Sequence, residues 1–522
     1  NSESFQGEST VNSRLKDGHF PRPVGQPVAS KLRPARLVLL SLLLTVWLID
    51  VGLPSLFYNP RLASPVTGPL AESNPLRWAA TATLFYLFAA AAILLGTRRK
   101  HHESSLEPAA IAGAAAKRAV QIVTVVATIS TLLAISAILR TSGVSSVGSR
   151  QIFTEASLYS NAGLNLLLVV ASWAGPLGVA LYVSAPGSRW IAWTAIASFT
   201  LLGTVTGGRN ATLAPLLVLF IVVLTRSGKS LFWKGVSALA AFAFVAGALA
   251  LIGTRRFTNG LFESIRVTVA VPRRLDDLAF AYQLRDRDIS IDGIEALISG
   301  VSAALPLGLG SLGQSGLSQL AQQLPEGLLR GEGNSGTNFS GAAEGYLWGG
   351  LPGLLLLGSI FGIMLALVAR RGLGLPEPIA TFVLASTGVI LVATASARTT
   401  RFTGEIVINL LVPLGIISLL VTMLSRGKWQ RIPTLPILLP CAFVVGLALF
   451  YLASQGGSGS ALLDAAAKAL VGLAGLVAAF KGLLLLTLPA STWLSGGAPR
   501  LNKGECHERP STARGRPQAE HD

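Results

Sequence analysis

The run from Tyr346 to Ala369, YLWGGLPGLLLLGSIFGIMLALVA, holds no charged residue and is closed by Arg370 and Arg371. An α-helix rises 1.5 Å per residue, so about twenty apolar residues cross the roughly 30 Å of hydrocarbon in a bilayer. Tyr346 to Ala369 is long enough to do so, and a basic pair after such a run marks its cytoplasmic end. Working outward, comparable runs lie at 37–57, 78–96, 119–139, 162–183, 190–206, 211–225, 235–253, 378–396, 405–424, 434–453 and 469–489, the last interrupted by Lys481. The sequence therefore predicts an all-α polytopic membrane protein of about twelve transmembrane helices.

Composition agrees. Of 522 residues, 51% are hydrophobic and 13% charged, against roughly 25% charged in soluble domains, and the mean hydropathy is +0.58. A membrane β-barrel would need alternating strands of about ten residues, a pattern not seen here. Soluble enzymes, secreted modules and nucleic-acid readers are excluded, and the net charge of +17 becomes a matter of which side the charges occupy. Basic residues at 98–100, 117–118, 226–234, 370–371 and 426–431 fall on one side if the N-terminus is cytoplasmic, and the basic tail at 490–522 returns there. The organisation expected is a polar tail at 1–36 without a cleavable signal peptide, helices one to seven over 37–253, and a large external loop at 254–345. Helices eight to twelve then occupy 346–489.

The loop is where soluble chemistry is available. Val271 to Arg287 places Leu275, Leu278 and Tyr282 on one helical face with Arg274 and Asp277 beside them, and Ile289 to Leu305 is apolar enough to lie on a membrane surface. Residues 307–341 are rich in Gly, Ser, Gln and Asn. The two cysteines, Cys441 and Cys506, support no disulfide framework, and the histidines lie in polar tails or one basic loop, so no metal site is expected.

Three arginine clusters sit at the predicted outer boundary: Arg209 in GGRN at 207–210, Arg255 and Arg256 in GTRRF at 253–257, and Arg398 and Arg401 in ARTTR at 397–401. Guanidinium suits two-pronged recognition of phosphate, and the depth is that of a lipid headgroup, so a lipid-borne diphosphate is the anion that would fit. Snorkelling anchors are the plainer alternative. Glu344, at the start of helix eight, could act as a general base if partly desolvated, or simply favour a helix N-terminus. Asp286-Arg287-Asp288 has the form of a DxD diphosphate motif, but its arginines favour a solvated charged helix. Asp50, Asp464 and Lys468 could mark an ion pathway, or be helix-end residues.

The GGRN turn, the arginine pair after the seventh span, and Thr337 through Glu344, Tyr346, Gly349 and Gly350 together resemble the bacterial oligosaccharide repeat unit polymerases, the O-antigen or Wzy-type family. The resemblance covers about residues 190–425. It implies a GT-C-like membrane glycosyltransferase architecture in the bacterial cytoplasmic membrane, using polyprenyl-diphosphate-linked oligosaccharides as substrates without a cofactor. A flippase and a chain-length regulator are the partners it implies. In that frame Arg209, Arg255, Arg256, Arg398 and Arg401 would hold the diphosphate, with Arg209 and Arg255 also catalytic. Glu344 would be the base, and Asp276, Asp277 and Tyr346 further candidates. The related O-antigen ligases are expected to carry a histidine in the large loop, and this loop has none. No nucleotide fingerprint or Walker motif is present. A secondary transporter or lipid-linked oligosaccharide flippase is the rival reading, since about twelve spans with both ends inside is also a transporter plan.

Overall fold

The computed structural model describes residues 28–60, 70–97, 110–142, 162–206, 209–226, 273–304, 319–320, 323, 339–395, 402–425 and 460–487. Their regular structure is all helical, with no strand among the described residues. Eight helices are long and apolar enough to cross a membrane: Ala35–Leu56, Pro75–Gly96, Gly113–Arg140, Leu166–Ser184, Gly341–Gly372, Glu377–Ala395, Phe402–Leu424 and Leu470–Thr487. All eight coincide with spans read from the sequence. The predicted spans at 190–206 and 211–225 are the helices Arg189–Val205 and Arg209–Arg226, shorter or interrupted by Pro215. Those at 235–253 and 434–453 lie outside the described residues.

In chain order, α1 (Val28–Trp47) continues through a π-helical turn (Leu48–Gly52) and a last turn at Leu53–Leu56. α2 is Pro75–Gly96 and α3 Ala110–Ser142, while α4 (Ala162–Ala171) and α5 (Ala174–Ser184) are halves of one span broken at Ser172 and Trp173. α6 is Arg189–Val205, α7 Arg209–Arg226, α8 Arg273–Arg285, α9 Gly293–Ala304, α10 Gly341–Gly372 and α11 Glu377–Ala395. α12 (Phe402–Ile406) passes through a second π-turn (Val407–Leu411) into α13 (Val412–Ser425), and α14 is Ser460–Thr487. The hub is α11, whose membrane window is 89% buried within the protein.

Lipid is as apolar as a leucine side chain, so membrane helices associate by close backbone packing at small residues. Gly358 and Gly362 of α10 do this against α2: a Cβ at either would lie 2.6 Å from the Phe85 carbonyl or 2.3 Å from that of Ala89. The matched order of these contacts makes α2 and α10 parallel neighbours. Gly415 and Gly482 bring α13 and α14 equally close, with hypothetical Cβ atoms 1.9 Å from the Ala478 carbonyl and 2.1 Å from that of Leu411.

Here the order is reversed, 411 against 482 and 415 against 478, so α13 and α14 are antiparallel. Strict alternation through about twelve spans would run them the same way. The predicted span between them, at 434–453, lies outside the described residues.

α10 departs from the sequence expectation in a second way. It starts at Gly341, capped by Ser340, whose Oγ accepts from the Ala343 N–H, and it loses helical geometry at Gly349 (φ −161°, ψ 31°) and Gly350 (φ 63°, ψ −143°). The second of these conformations is open only to glycine. The short arm before the break folds against the helix after it, so that a Cβ on Gly353 would sit 2.5 Å from the Gly345 carbonyl. Eight residues of straight helix would hold those two about 12 Å apart. The membrane helix proper starts after the break, and Glu344 and Tyr346 ride on the arm.

Candidate functional site

α8 lies against α2, α10 and the π-turn of α1. Leu275 and Leu278 are fully buried, as their spacing predicts, but Asp276 and Asp277 are buried with them. A buried carboxylate demands partners, and each has them. Asp276 Oδ1 accepts from the Tyr58 hydroxyl at 2.7 Å and from the Ala71 N–H at 3.0 Å. Asp277 Oδ2 pairs with the Arg274 guanidinium at 3.4 Å. Burial and the adjoining Asp276 carboxylate push the Tyr58 phenol far above the ordinary tyrosine range, because ionising it would set two negative charges side by side.

Asp50, on the π-turn of α1 that packs against α8, feels the charge of Arg274, and its Oδ2 lies out of solvent contact without a hydrogen-bond partner. Asp50 stands on the π-turn of α1, and such turns often re-aim a side chain at functional positions. Arg274 thus pairs with a carboxylate of its own helix and acts through its charge on one from α1.

Beside this polar group is an aromatic wall. The ring centroids of Trp78 and Tyr282 lie 5.5 Å apart edge to face, and those of Tyr282 and Tyr346 lie 5.8 Å apart. The exposed Arg77 guanidinium covers Trp78 at 5.0 Å and Tyr282 at 5.4 Å, cation–π distances at which the ring faces attract it. Phe280 stacks on Phe339 at 6.3 Å, fastening α8 to the residues just before α10. Glu344 is 8% exposed, and its N–H donates to the Ser340 carbonyl at 2.9 Å in the first turn of α10.

Of the residues expected from sequence, Asp276 and Asp277 lie buried on α8, and Glu344 and Tyr346 lie on the arm of α10, which α8 meets through Tyr282 against Tyr346. Arg209 is the first residue of α7, but its side chain is outside what the structure describes. Arg255, Arg256, Arg398 and Arg401 also lie outside the described residues.

Asp286-Arg287-Asp288 is a helix stop: the Ile289 N–H reaches back to the Leu284 carbonyl, Asp288 takes φ 60°, and all three residues are exposed. This geometry closes helices, and Asp tolerates it better than most residues. Among the described residues no group of three or more His, Cys, Asp or Glu side chains is placed to hold a metal ion. Tyr58, Arg77, Trp78, Tyr86 and Tyr282 were not singled out as site residues by sequence; only for Tyr58, Arg77 and Trp78 did a position at the end of an apolar run hint at a boundary role.

Comparison with protein-family models, with characterised proteins and with solved structures found no match to this chain.

Proposed function

We propose that the protein polymerises polyprenyl-diphosphate-linked oligosaccharide repeat units on the outer face of the bacterial cytoplasmic membrane. In the step envisaged, the bond between the donor sugar's anomeric carbon and its diphosphate oxygen breaks. A bond from that carbon to a hydroxyl oxygen of a second lipid-linked repeat forms, the hydroxyl proton passes to a base, and polyprenyl diphosphate leaves. Glu344 is the base proposed, because burial in the first turn of a helix holds a carboxylate away from water yet at a chain boundary. Arg209, Arg255 and Arg256 would stabilise the charge growing on the leaving diphosphate, with Arg398 and Arg401 beside them.

The observation that carries this reading is the union of the loop helix α8 with the broken arm of α10. Each element carries buried carboxylates, Asp276 and Asp277 on α8 and Glu344 on the arm, and Tyr282 meets Tyr346 between them. Tyr282 and Tyr346 are half-buried, and aromatic ring faces suit the C–H faces of sugars. The transporter reading also has an observation in its favour: discontinuous helices at 172–173 and 349–350 and π-turns at 48–52 and 407–411, one of them bearing Asp50. Broken membrane helices are a common device of transporters.

The two separate in cells lacking the protein, complemented with wild type or Glu344→Gln at matched membrane levels. Polymerisation requires that single lipid-linked repeats accumulate on the outer leaflet without the protein and that Glu344→Gln fails to restore long glycan. Accumulation on the cytoplasmic leaflet would replace the enzyme with a flippase.

A further inference from the structure

α9 belongs to the loop between the seventh and eighth predicted spans, yet its outward face is aliphatic. Ile294, Ile298 and Val301 are 62%, 52% and 37% exposed, and their spacing of four and three residues lines them on one helical stripe. The opposite face is packed on two helices that are long and apolar enough to cross a membrane. Gly293 meets the Trp348 ring so closely that a Cβ would fall 2.1 Å from it, and the Ile291 N–H donates to the Leu347 carbonyl of the α10 arm at 3.3 Å. Farther along, the Thr403 hydroxyl donates to the Leu297 carbonyl at 2.9 Å, joining α9 to the first turn of the span Phe402–Leu424.

The charged side chain within α9, Glu295, accepts from Gln319 Nε2 at 3.3 Å, and Asp292 caps the helix by accepting from the N–H groups of Ile294 and Glu295. The stripe itself carries no charge. α10, on whose arm α9 rests, also presents apolar side chains outward, with Leu351 and Leu356 44% and 49% exposed.

We infer that α9 is embedded in the bilayer beside α10 and α12, with Ile294, Ile298 and Val301 against lipid acyl chains. The occupant is lipid because the stripe is uncharged and its helix is fastened to two helices apolar and long enough to cross a membrane, and at twelve residues α9 is too short to span the bilayer itself. The inference is independent of the reaction proposed above. Its consequence is positional: through Gly293 and Trp348 the embedded helix holds the arm that carries Glu344 at a fixed depth.

The test uses the full chain in lipid nanodiscs, with Cys441→Ser and Cys506→Ser as background. A nitroxide is attached at Ile294→Cys, Ile298→Cys or Val301→Cys, with Gln283→Cys on the exposed face of α8 as the aqueous reference and Leu356→Cys as the lipid reference. Molecular oxygen concentrates in hydrocarbon, and a neutral nickel chelate stays in water. The expected result is an oxygen-to-nickel accessibility ratio at all three α9 positions several-fold above Gln283 and close to Leu356. A ratio at the level of Gln283 would put the stripe in water, and exclusion of both probes would put protein over it; either overturns the inference. Three labelled positions keep the test usable if one substitution impairs folding.

Discussion

Replacing Tyr58 by Phe removes one hydroxyl and nothing else, and it tests whether Asp276 is what fastens the loop helix α8 to the bundle. The hydroxyl donates to a fully buried carboxylate at 2.7 Å, and a hydrogen bond to a charged acceptor is worth about 1.5–3 kcal/mol. The Ala71 N–H at 3.0 Å remains, so Asp276 keeps one donor and the helix should stay docked while opening more often. At 1.36 kcal/mol per factor of ten, amide hydrogen exchange over Arg273–Arg285 should rise by about 10- to 150-fold. Exchange in the GxxxG-packed centre of α10 should not change. Unaltered protection of α8 in a Tyr58→Phe protein that is otherwise native would refute the idea that this bond holds the loop helix down.

Four further outcomes are expected. Tyr58 has its phenol raised above the usual 10.0, so its contribution is complete below about pH 10, the unfolded value, and is lost as pH climbs beyond it. Exchange of α8 should therefore accelerate above about pH 10 in wild type and much less in Tyr58→Phe. Gly350→Ala, at φ 63°, should lower stability by about 1–3 kcal/mol, whereas Gly349→Ala, at φ −161°, should be close to neutral; thermal unfolding in detergent compares the two. Gly482→Leu drives a side chain into the Leu411 carbonyl, 2.1 Å from the Cβ position, and should cost at least about 1–3 kcal/mol, read as a lowered melting temperature. Glu344→Gln should leave folding intact while abolishing glycan elongation, which separates a chemical role from a capping one.

Much of the architecture was legible because hydrophobic length is a strong signal: Tyr346 to Ala369 and its seven long counterparts became helices. What the runs could not convey was where helices break. Gly349-Gly350 with Pro352 was written in the sequence as a turn signal, yet it sat inside an apolar run and read as span. The Gly358–Gly362 pair likewise announces close packing but names no partner; only coordinates identify α2.

For the site, periodicity placed Leu275 and Leu278 inward correctly. It set Asp277 beside that face but could not show that Asp276 is buried, because a helical wheel cannot see that Tyr58 and Ala71, some two hundred residues earlier, supply its donors. Asp50 read equally well as a helix-end residue until the π-turn brought it towards Arg274. The antiparallel pairing of α13 and α14 shows why counting apolar runs fixes helices better than sidedness: direction depends on every crossing in between.

The measurement that bears most directly on the account is elongation by the purified full chain in nanodiscs, supplied with a polyprenyl-diphosphate-linked oligosaccharide and no nucleotide sugar. The account predicts products of two or more repeats on one lipid, with one polyprenyl diphosphate released per linkage, and no product from Glu344→Gln. A natively folded protein that forms no such linkage, or a Glu344→Gln variant that elongates at the wild-type rate, would contradict it.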